Sequence, residues 1–126
     1  MIWPEFILLA YHLARQGSEA AKRSAVSRAY YGAYNPARRW SEANLRTIDR
    51  WATHRQMWGS FAASGVASDA TRLKWEAVGE IGDSLRALRN RADYDDAMPD
   101  LDRHAAEAVV SAKKILALLP ELELAA

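Results

Sequence analysis

Apolar residues recur at helical spacing along most of the chain, and no segment alternates convincingly in the manner of a strand. The first predicted helix covers residues 4–16. Its opening proline suits a first helical turn, and Gly17 suits the position just past a helix end. Its apolar stripe is expected to contain Ile2, Phe6, Leu9 and Leu13. The pattern therefore predicts a helix that faces the core.

The second predicted helix, residues 18–44, has Ser18 as its N-cap and Glu19 in a first turn that favours negative charge. Its buried face is expected to contain Val26, Ala29, Tyr30, Ala33, Ala37 and Trp40. Pro36 lies inside this helix and removes the hydrogen bond to the carbonyl of Gly32. Because glycine makes bending easier there, we expect a kink at residues 32–36 rather than a break.

Three more helices follow. A short third helix is predicted at residues 54–63 and ends before Gly65. The segment before it, residues 45–53, is ambiguous, although its apolar residues fit a loose helical turn: Leu45, Ile48 and Trp51. The fourth helix opens near Ser68 or Asp69 and reaches Tyr94. The fifth covers residues 99–119, and residues 121–126 are expected to fray. The expected core residues of these two helices are Val78, Ile81, Leu85, Leu88, Ala92, Leu101, Ala105, Val109, Ala112, Ile115, Leu116 and Leu119.

These elements predict an all-α fold, an up-and-down bundle of four long helices plus a short helix. The 126 residues are expected to form a single domain, 1–126, that is large enough to bury a core without disulfides. Five tryptophans are a high count for such a chain. Most are expected in the core, with an oligomer interface as the alternative for some.

Charge is distributed unevenly, although the net charge is only +1. Residues 1–58 carry nine basic and four acidic side chains, a net charge of +5, whereas residues 59–126 carry eight and twelve, a net charge of −4. This asymmetry fits either a basic face that meets phosphates or ordinary solvated helix faces. The absence of cysteine excludes thiolate metal sites and cysteine nucleophiles, and it fits a cytoplasmic location.

The composition and motifs exclude several other classes. The apolar run at residues 6–11 is far shorter than the about 20 residues that span a bilayer, so no membrane association is expected. The chain has no Walker loop, dinucleotide fingerprint, GxSxG or HExxH motif. Its histidines, His12, His54 and His104, lack ligand spacing, so no metal and no other cofactor is expected. His54 is interpreted as a cap or packing residue.

The most distinctive polar chemistry lies in residues 85–96. At about 100° per residue, one side of this helix gathers Arg86, Arg89, Asn90, Asp93 and Tyr94, with Leu85, Leu88 and Ala92 opposite. Arginine forks and an asparagine amide suit phosphate and sugar oxygens. The other interpretation is a solvent-exposed helix surface on which Asp93 forms an i, i+4 ion pair with Arg89. Such a pair contributes only a few tenths of a kcal/mol to stability.

Three segments resemble small stand-alone proteins of the HEPN family. Residues 24–34, SAVSRAYYGAY, are similar to the family signature SRAYYAAF. Thr53 and His54, followed by Phe61, resemble the next family segment, and residues 85–94, LRALRNRADY, resemble LRxLRxxADY. The resemblance extends roughly over residues 4–118. It implies a bundle of four or five helices, a homodimer and, in many members, metal-independent ribonuclease activity at the dimer cleft.

The same resemblance implies roles for particular residues. Arg89 matches the motif arginine and Asn90 the polar residue after it. The motif histidine is absent, and Tyr94 stands five positions after Arg89. An ordinary phenol has a pKa of about 10. A tyrosine such as Tyr94 can therefore donate a hydrogen bond, but it is a poor general base. We predict Arg89, Asn90 and Tyr94 as catalytic residues, and Arg86 and Asp93 as substrate-binding residues.

The leading functional hypothesis is an RNA-directed HEPN-like protein, a metal-independent ribonuclease toxin of a toxin–antitoxin or defence system. The alternative is a non-catalytic helical dimer that binds a protein partner, such as a nucleotidyltransferase antitoxin. Small-ligand binding between the helices is a third class, which no phosphate-loop motif supports. Tyr31 and Tyr34 lie off the apolar stripe of Tyr30. They are assigned to a helix–helix edge, a dimer face or a base-stacking surface.

Overall fold

The computed structural model describes residues 2–45 and 52–125, and this part of the chain is a helical bundle. Its helices are α1 (Trp3–Ala14), α2 (Glu19–Asn44), α3 (His54–Ala62), α4 (Arg72–Tyr94) and α5 (Leu101–Leu118), followed by a short 3₁₀ helix (Leu119–Glu121). Helix α2 packs against α1, α4 and α5, while α3 packs mainly against α4. The prediction of an all-α fold is confirmed. Within the described ranges, no helix combines the length and apolar character needed to cross a membrane.

Side-chain caps fix two of the helix starts that the sequence indicated. Ser18 Oγ accepts a hydrogen bond from Ala21 N at 3.1 Å at the start of α2. At the start of α3, Thr53 and Gln56 form a reciprocal capping box, so Thr53 rather than His54 is the cap. Helix α2 continues through Pro36 to Asn44, which confirms that the proline does not break it. The kink at residues 32–36 stays a prediction.

Helix α1 faces the core with a different stripe from the predicted one. Ile7 and Ala10 are buried, whereas Ile2 and Leu9 are exposed. Almost every residue from 6 to 11 is apolar, so spacing alone does not select a face. The close approach to α2 selects it, since a Cβ atom on Gly32 would lie 2.9 Å from Ile7 Cγ1. Gly32 therefore serves the contact between α1 and α2.

Helix α4 begins later than predicted because the residues before it bind the end of the chain. The backbone carbonyl of Glu123 accepts hydrogen bonds from Ser68 N at 3.3 Å, Thr71 Oγ1 at 3.2 Å and Trp75 Nε1 at 3.1 Å. Leu122 is buried, and Ala67 pairs with residue 124 in an isolated antiparallel bridge. Residues 122–125 are thus tied to the bundle rather than frayed as predicted.

The predicted core agrees well with the observed one outside α1. Buried members of the predicted stripes are Val26, Ala29, Tyr30, Ala33, Ala37, Val78, Leu85, Ala92, Ala105, Val109, Ala112, Ile115 and Leu119. Others are only partly buried: Trp40, Ile81, Leu88, Leu101 and Leu116. Trp58 and Trp75 are fully buried, as expected for tryptophan in a small core. The ambiguous segment falls mostly on residues 46–51, which lie outside the described residues, but Leu45 is buried.

Candidate functional site

Arg89 projects from the C-terminal part of α4 into the bundle rather than into solvent. Its side chain is only 12% exposed. The guanidinium carbon lies 5.2 Å from the ring centroid of Tyr30 and 5.5 Å from that of Tyr31, both on α2. These distances are typical of cation–π contacts, in which a ring face attracts a cation. The α2 tyrosines therefore hold the charge of Arg89 in place.

Few polar partners satisfy this guanidinium. Its Nη1 lies 3.5 Å from Asp93 Oδ2, a loose ion pair. Its Nε is buried and has no hydrogen-bond partner among the residues that the structure describes. A buried donor without a partner costs free energy and is uncommon in folded proteins. Arg89 therefore carries unused hydrogen-bonding capacity.

An aromatic cluster surrounds the arginine and joins α2 to α3: Tyr30, Tyr31, Tyr34, His54 and Trp58. The His54 imidazole stacks on the Tyr34 ring, with centroids 3.9 Å apart and planes inclined by 14°. It also meets Tyr31 edge to face at 6.2 Å. Offset stacking and edge-to-face contacts of this kind stabilise aromatic pairs. The cluster thus brings His54 to the same tyrosines that contact Arg89.

The hydroxyl of Tyr30 connects this cluster by hydrogen bonds. Trp58 Nε1 donates to it at 3.1 Å, and His54 Nδ1 lies 2.7 Å from it. The residue is fully buried, and burial raises the pKa of its hydroxyl. Tyr30 therefore keeps its proton at every physiological pH and acts only as a neutral hydrogen-bonding group.

Positive charge is concentrated around His54. Burial lowers the pKa of His54, and the charges of Arg89, Arg38 and Arg86 lower it further. Both effects disfavour the charged imidazolium. His54 is thus a neutral imidazole in a basic environment at neutral pH.

The two other arginines are held by neighbours on their own helices. Arg38 Nη1 donates to Tyr34 Oη at 2.6 Å, and its Nε pairs with Glu42 at 2.9 Å. Arg86 Nε pairs with Asp83 Oδ1 at 2.8 Å. Both α2 and α4 therefore place a guanidinium group near the aromatic cluster, and each group is paired with a carboxylate on its own helix.

The structure brings together only part of the residue set predicted on α4. Arg89 contacts the aromatic cluster, the charge of Arg86 acts on His54, and Asp93 accompanies Arg89 as its ion-pair partner. Asn90 is half-buried on the same helix. Tyr94 is 76% exposed at the helix end and, in the described part of the chain, makes no side-chain hydrogen bond or ring contact. The geometry therefore does not place its phenol against Arg89.

The sequence analysis offers Tyr31 and Tyr34 for a helix edge, a dimer face or a base-stacking surface, but it does not place them or His54 beside Arg89. His54 was interpreted as a cap or packing residue, and it does pack, but against the site tyrosines and beside Arg89. Arg38 was not predicted at all. Two sequence segments could have indicated these residues, because both resemble HEPN proteins. One lies around Tyr30 and the other around His54, and the fold brings them into contact.

A surface groove of about 470 Å³ opens between α3 and α4 next to the cluster. It shares Trp58 with the aromatic cluster; Arg55 and Gln56 form part of its α3 side, and the carboxylates of Glu80 and Asp83 form part of its α4 side. An elongated ligand that reaches the basic site therefore has an adjacent channel with polar edges.

The described residues contain no group of three or more His, Asp or Glu side chains suited to a metal ion. No protein-family model matches the chain, and no curated protein or solved structure is significantly similar to it. The fold and the site thus define a helical bundle with a basic cluster lined by aromatic rings. Membership of the HEPN family stays a prediction from the three sequence segments.

Proposed function

We propose that this chain is an RNA-directed HEPN-like protein that binds an RNA phosphate at Arg89 and cleaves the adjoining bond without a metal ion. The proposal includes a cytoplasmic toxin–antitoxin or defence role and a homodimeric form. The family resemblance motivates that context.

One observation carries the proposal: Arg89 is a mostly buried arginine held by tyrosine rings, and among residues 2–45 and 52–125 it has only a loose ion pair and no partner for its Nε. An arginine that served the fold alone would be expected to have its donors paired. A phosphate oxygen is the acceptor that best matches a guanidinium fork. Arg38 and Arg86 would add donors for a phosphate only at short range, because each is paired with a carboxylate.

The proposed reaction is a transesterification within the RNA chain. The ribose 2′-oxygen forms a bond to the adjacent phosphorus, and the bond from phosphorus to the 5′-oxygen of the next nucleotide breaks. The proton of the 2′-hydroxyl passes to water or hydroxide, and the leaving 5′-oxygen takes a proton from water. The products are a 2′,3′-cyclic phosphate and a 5′-hydroxyl. Arg89 would stabilise the negative charge that builds on the phosphate oxygens.

The neighbouring residues have supporting roles in this proposal. Arg86 and Asn90 would orient the phosphate from α4, and Asp93 would hold Arg89. The groove between α3 and α4 would accept the next nucleotides of the strand. Tyr94 would have no role in proton transfer, because it is exposed and without contact to Arg89.

The test is cleavage of end-labelled RNA in EDTA, which inactivates contaminating metal-dependent nucleases. We expect cleavage by the wild-type protein to give cyclic-phosphate ends. Arg89→Ala should reduce the rate about 100-fold, in the range seen when one stabilising donor is removed from an active site. Arg89→Lys, which keeps the charge but loses the fork, should also be impaired.

Two matched variants serve as controls. Arg72 is an exposed arginine at the other end of α4, paired with Asp69, so Arg72→Ala should cleave at the wild-type rate. Tyr94→Phe should also be unchanged. Circular dichroism and thermal melting establish that each variant is folded. If the wild type is inactive and Arg89→Ala binds RNA as tightly as the wild type, the RNA proposal is wrong.

The second candidate function is a non-catalytic dimer that binds a protein such as a nucleotidyltransferase. Exposed apolar side chains on α1 favour it: Ile2, Leu8, Leu9 and Tyr11. A groove of about 220 Å³ lies beside them, between α1 and α5. Apolar patches of this kind are typical of protein interfaces. An inactive wild type that does not bind RNA would favour this function.

A further inference from the structure

The hydrogen bonds of Tyr30 determine which nitrogen of His54 carries the proton. The Trp58 indole can only donate, so it occupies a lone pair of the Tyr30 oxygen. The tyrosine has a single proton of its own. Among the described residues, the one acceptor within reach of that proton is His54 Nδ1 at 2.7 Å. The arrangement that satisfies all three groups therefore has Tyr30 donating to Nδ1.

The opposite arrangement leaves a buried donor unsatisfied. If His54 Nδ1–H donated to Tyr30, the tyrosine oxygen would accept from both Trp58 and His54. Its own O–H would then point into a fully buried aromatic environment without an acceptor, which costs free energy. A charged imidazolium would also leave the Tyr30 O–H group without an acceptor, because both of its nitrogens carry protons. The neutral imidazole is thus protonated at Nε2.

The charged groups around the His54 ring also favour the neutral imidazole. The side chains that contact or electrostatically influence His54 come from α2 and α4: Tyr30, Tyr31, Tyr34, Arg38, Arg86 and Arg89. None of them is an acid, and the three arginines oppose a further positive charge. No hydrogen bond to Nε2 is formed within residues 2–45 and 52–125. Among the described residues, the Nε2–H group therefore has no acceptor, and His54 lies within electrostatic reach of Arg89.

We propose that His54 acts as a neutral Nε2–H hydrogen-bond donor to the phosphate that Arg89 binds, and that Tyr30 and Trp58 are positioning residues that fix this tautomer. This inference rests on the proposed RNA function and specifies the role of its histidine. Catalysis by this site would then use electrostatic stabilisation rather than a histidine base. The 2′-hydroxyl proton would leave to solvent, and the cleavage rate would rise with pH without an inflection from His54.

The first test reads the tautomer directly and needs no RNA. Two-dimensional ¹H–¹⁵N NMR of histidine-labelled protein at neutral pH distinguishes a protonated from an unprotonated ring nitrogen. The His54 signals are assigned by their loss in His54→Gln. We expect Nε2 protonated and Nδ1 unprotonated in the wild type. A protonated Nδ1 at neutral pH, in either the neutral or the charged ring, would overturn the proposal.

The second test separates a donor from a base. Glutamine offers an amide N–H at about the reach of Nε2 but cannot accept a proton near pH 7. With a fluorescein-labelled uridine 12-mer as the probe, His54→Gln should bind within about threefold of the wild type. His54→Ala should bind about tenfold more weakly, as expected for loss of a hydrogen bond to a charged group. Equal losses in the two variants would overturn the donor role.

The outcomes distinguish this inference from the proposed function. A wild-type protein that does not bind the 12-mer overturns both. The other tautomer, together with RNA binding that depends on Arg89, overturns only the role of His54. A cleavage rate that is abolished in His54→Gln while its RNA affinity is retained indicates a base, and it also overturns the donor role alone.

Discussion

Arg89 and His54 share one set of tyrosine rings, and the positive charge of the arginine influences the protonation of the histidine. The rings of Tyr30 and Tyr31 hold the guanidinium, while Tyr34 stacks on the imidazole. Burial and the neighbouring arginines lower the pKa of His54 below its ordinary value of 6.5. This arrangement makes the folded protein prefer a neutral histidine, and that preference has a measurable effect on stability.

The expected effect is a loss of stability as the pH falls below about 6.5 towards the lowered pKa of the folded state. In this window the unfolded chain takes up a proton at His54 that the folded chain does not, so the free energy of unfolding decreases. Denaturant titrations from pH 7.5 to pH 5 should show a steeper loss for the wild type than for His54→Gln. Parallel pH curves for the two proteins would show that His54 is not buried among cations as described.

The candidate site also marks the limit of what the sequence predicts at the residue scale. Periodicity predicts a polar face containing Arg89, but Arg89 itself turns towards the α2 tyrosines, while Tyr94 of the same face is exposed. The contacts of Arg89 with Tyr30 and of Tyr30 with His54 join residues 59 and 24 positions apart, which helical spacing cannot relate. Tyr94 was chosen for its distance along the chain from Arg89, and the helix carries its side chain to the exposed end of α4.

At the scale of elements, the packing of α3 on α4 depends on glycine. A Cβ atom on Gly82 of α4 would lie 2.0 Å from Trp58 Cε3, which no rotation of a methyl group relieves. Trp58 in turn donates to the Tyr30 hydroxyl. The small residue in α4 thus positions the tryptophan that supports the site.

Gly82→Ala should therefore lower the free energy of unfolding by about 1–3 kcal/mol, the usual cost of overpacking a core. Gly59 in α3 provides the matched control because a Cβ atom there meets nothing within 4 Å. Gly59→Ala should stabilise the protein by about 0.5–1 kcal/mol through helix propensity. Urea denaturation measures both changes. Equal effects of the two substitutions would contradict the close contact between Gly82 and Trp58.

The helices themselves were predictable because their apolar spacing and caps are local properties. The stripe of α2 is correct in five of its six positions, since its small and large apolar residues repeat clearly. Two features required long-range contacts that the sequence does not reveal. The buried face of α1 depends on its fit against Gly32, and the start of α4 depends on hydrogen bonds to Glu123 from the far end of the chain.

At the scale of the whole molecule, exposed apolar residues indicate two surfaces available for association. Tyr94 is exposed at the C-terminal end of α4, and Leu8 is exposed on α1. We predict that α4 lies near the twofold axis of the proposed homodimer, with Tyr94 in the interface. Large exposed aromatic residues are frequent energetic centres of such interfaces.

Light scattering at tens of micromolar should give twice the mass of one chain. Tyr94→Arg should convert the dimer into a monomer, because it places a charge at the predicted interface. Leu8→Arg, the matched change on α1, should leave the dimer intact. A stable wild-type monomer would refute the dimer, and a dimer broken only by Leu8→Arg would relocate the interface to α1.

The central claim is that Arg89 binds an RNA phosphate, and the salt dependence of RNA affinity tests it most directly. For wild-type protein, the logarithm of the affinity should fall linearly with the logarithm of salt concentration as counterions are released. Arg89→Ala should bind about tenfold more weakly, with a slope reduced by about 0.7–1, while Arg72→Ala should match the wild type. Equal affinities and slopes for the wild type and Arg89→Ala would contradict the claim.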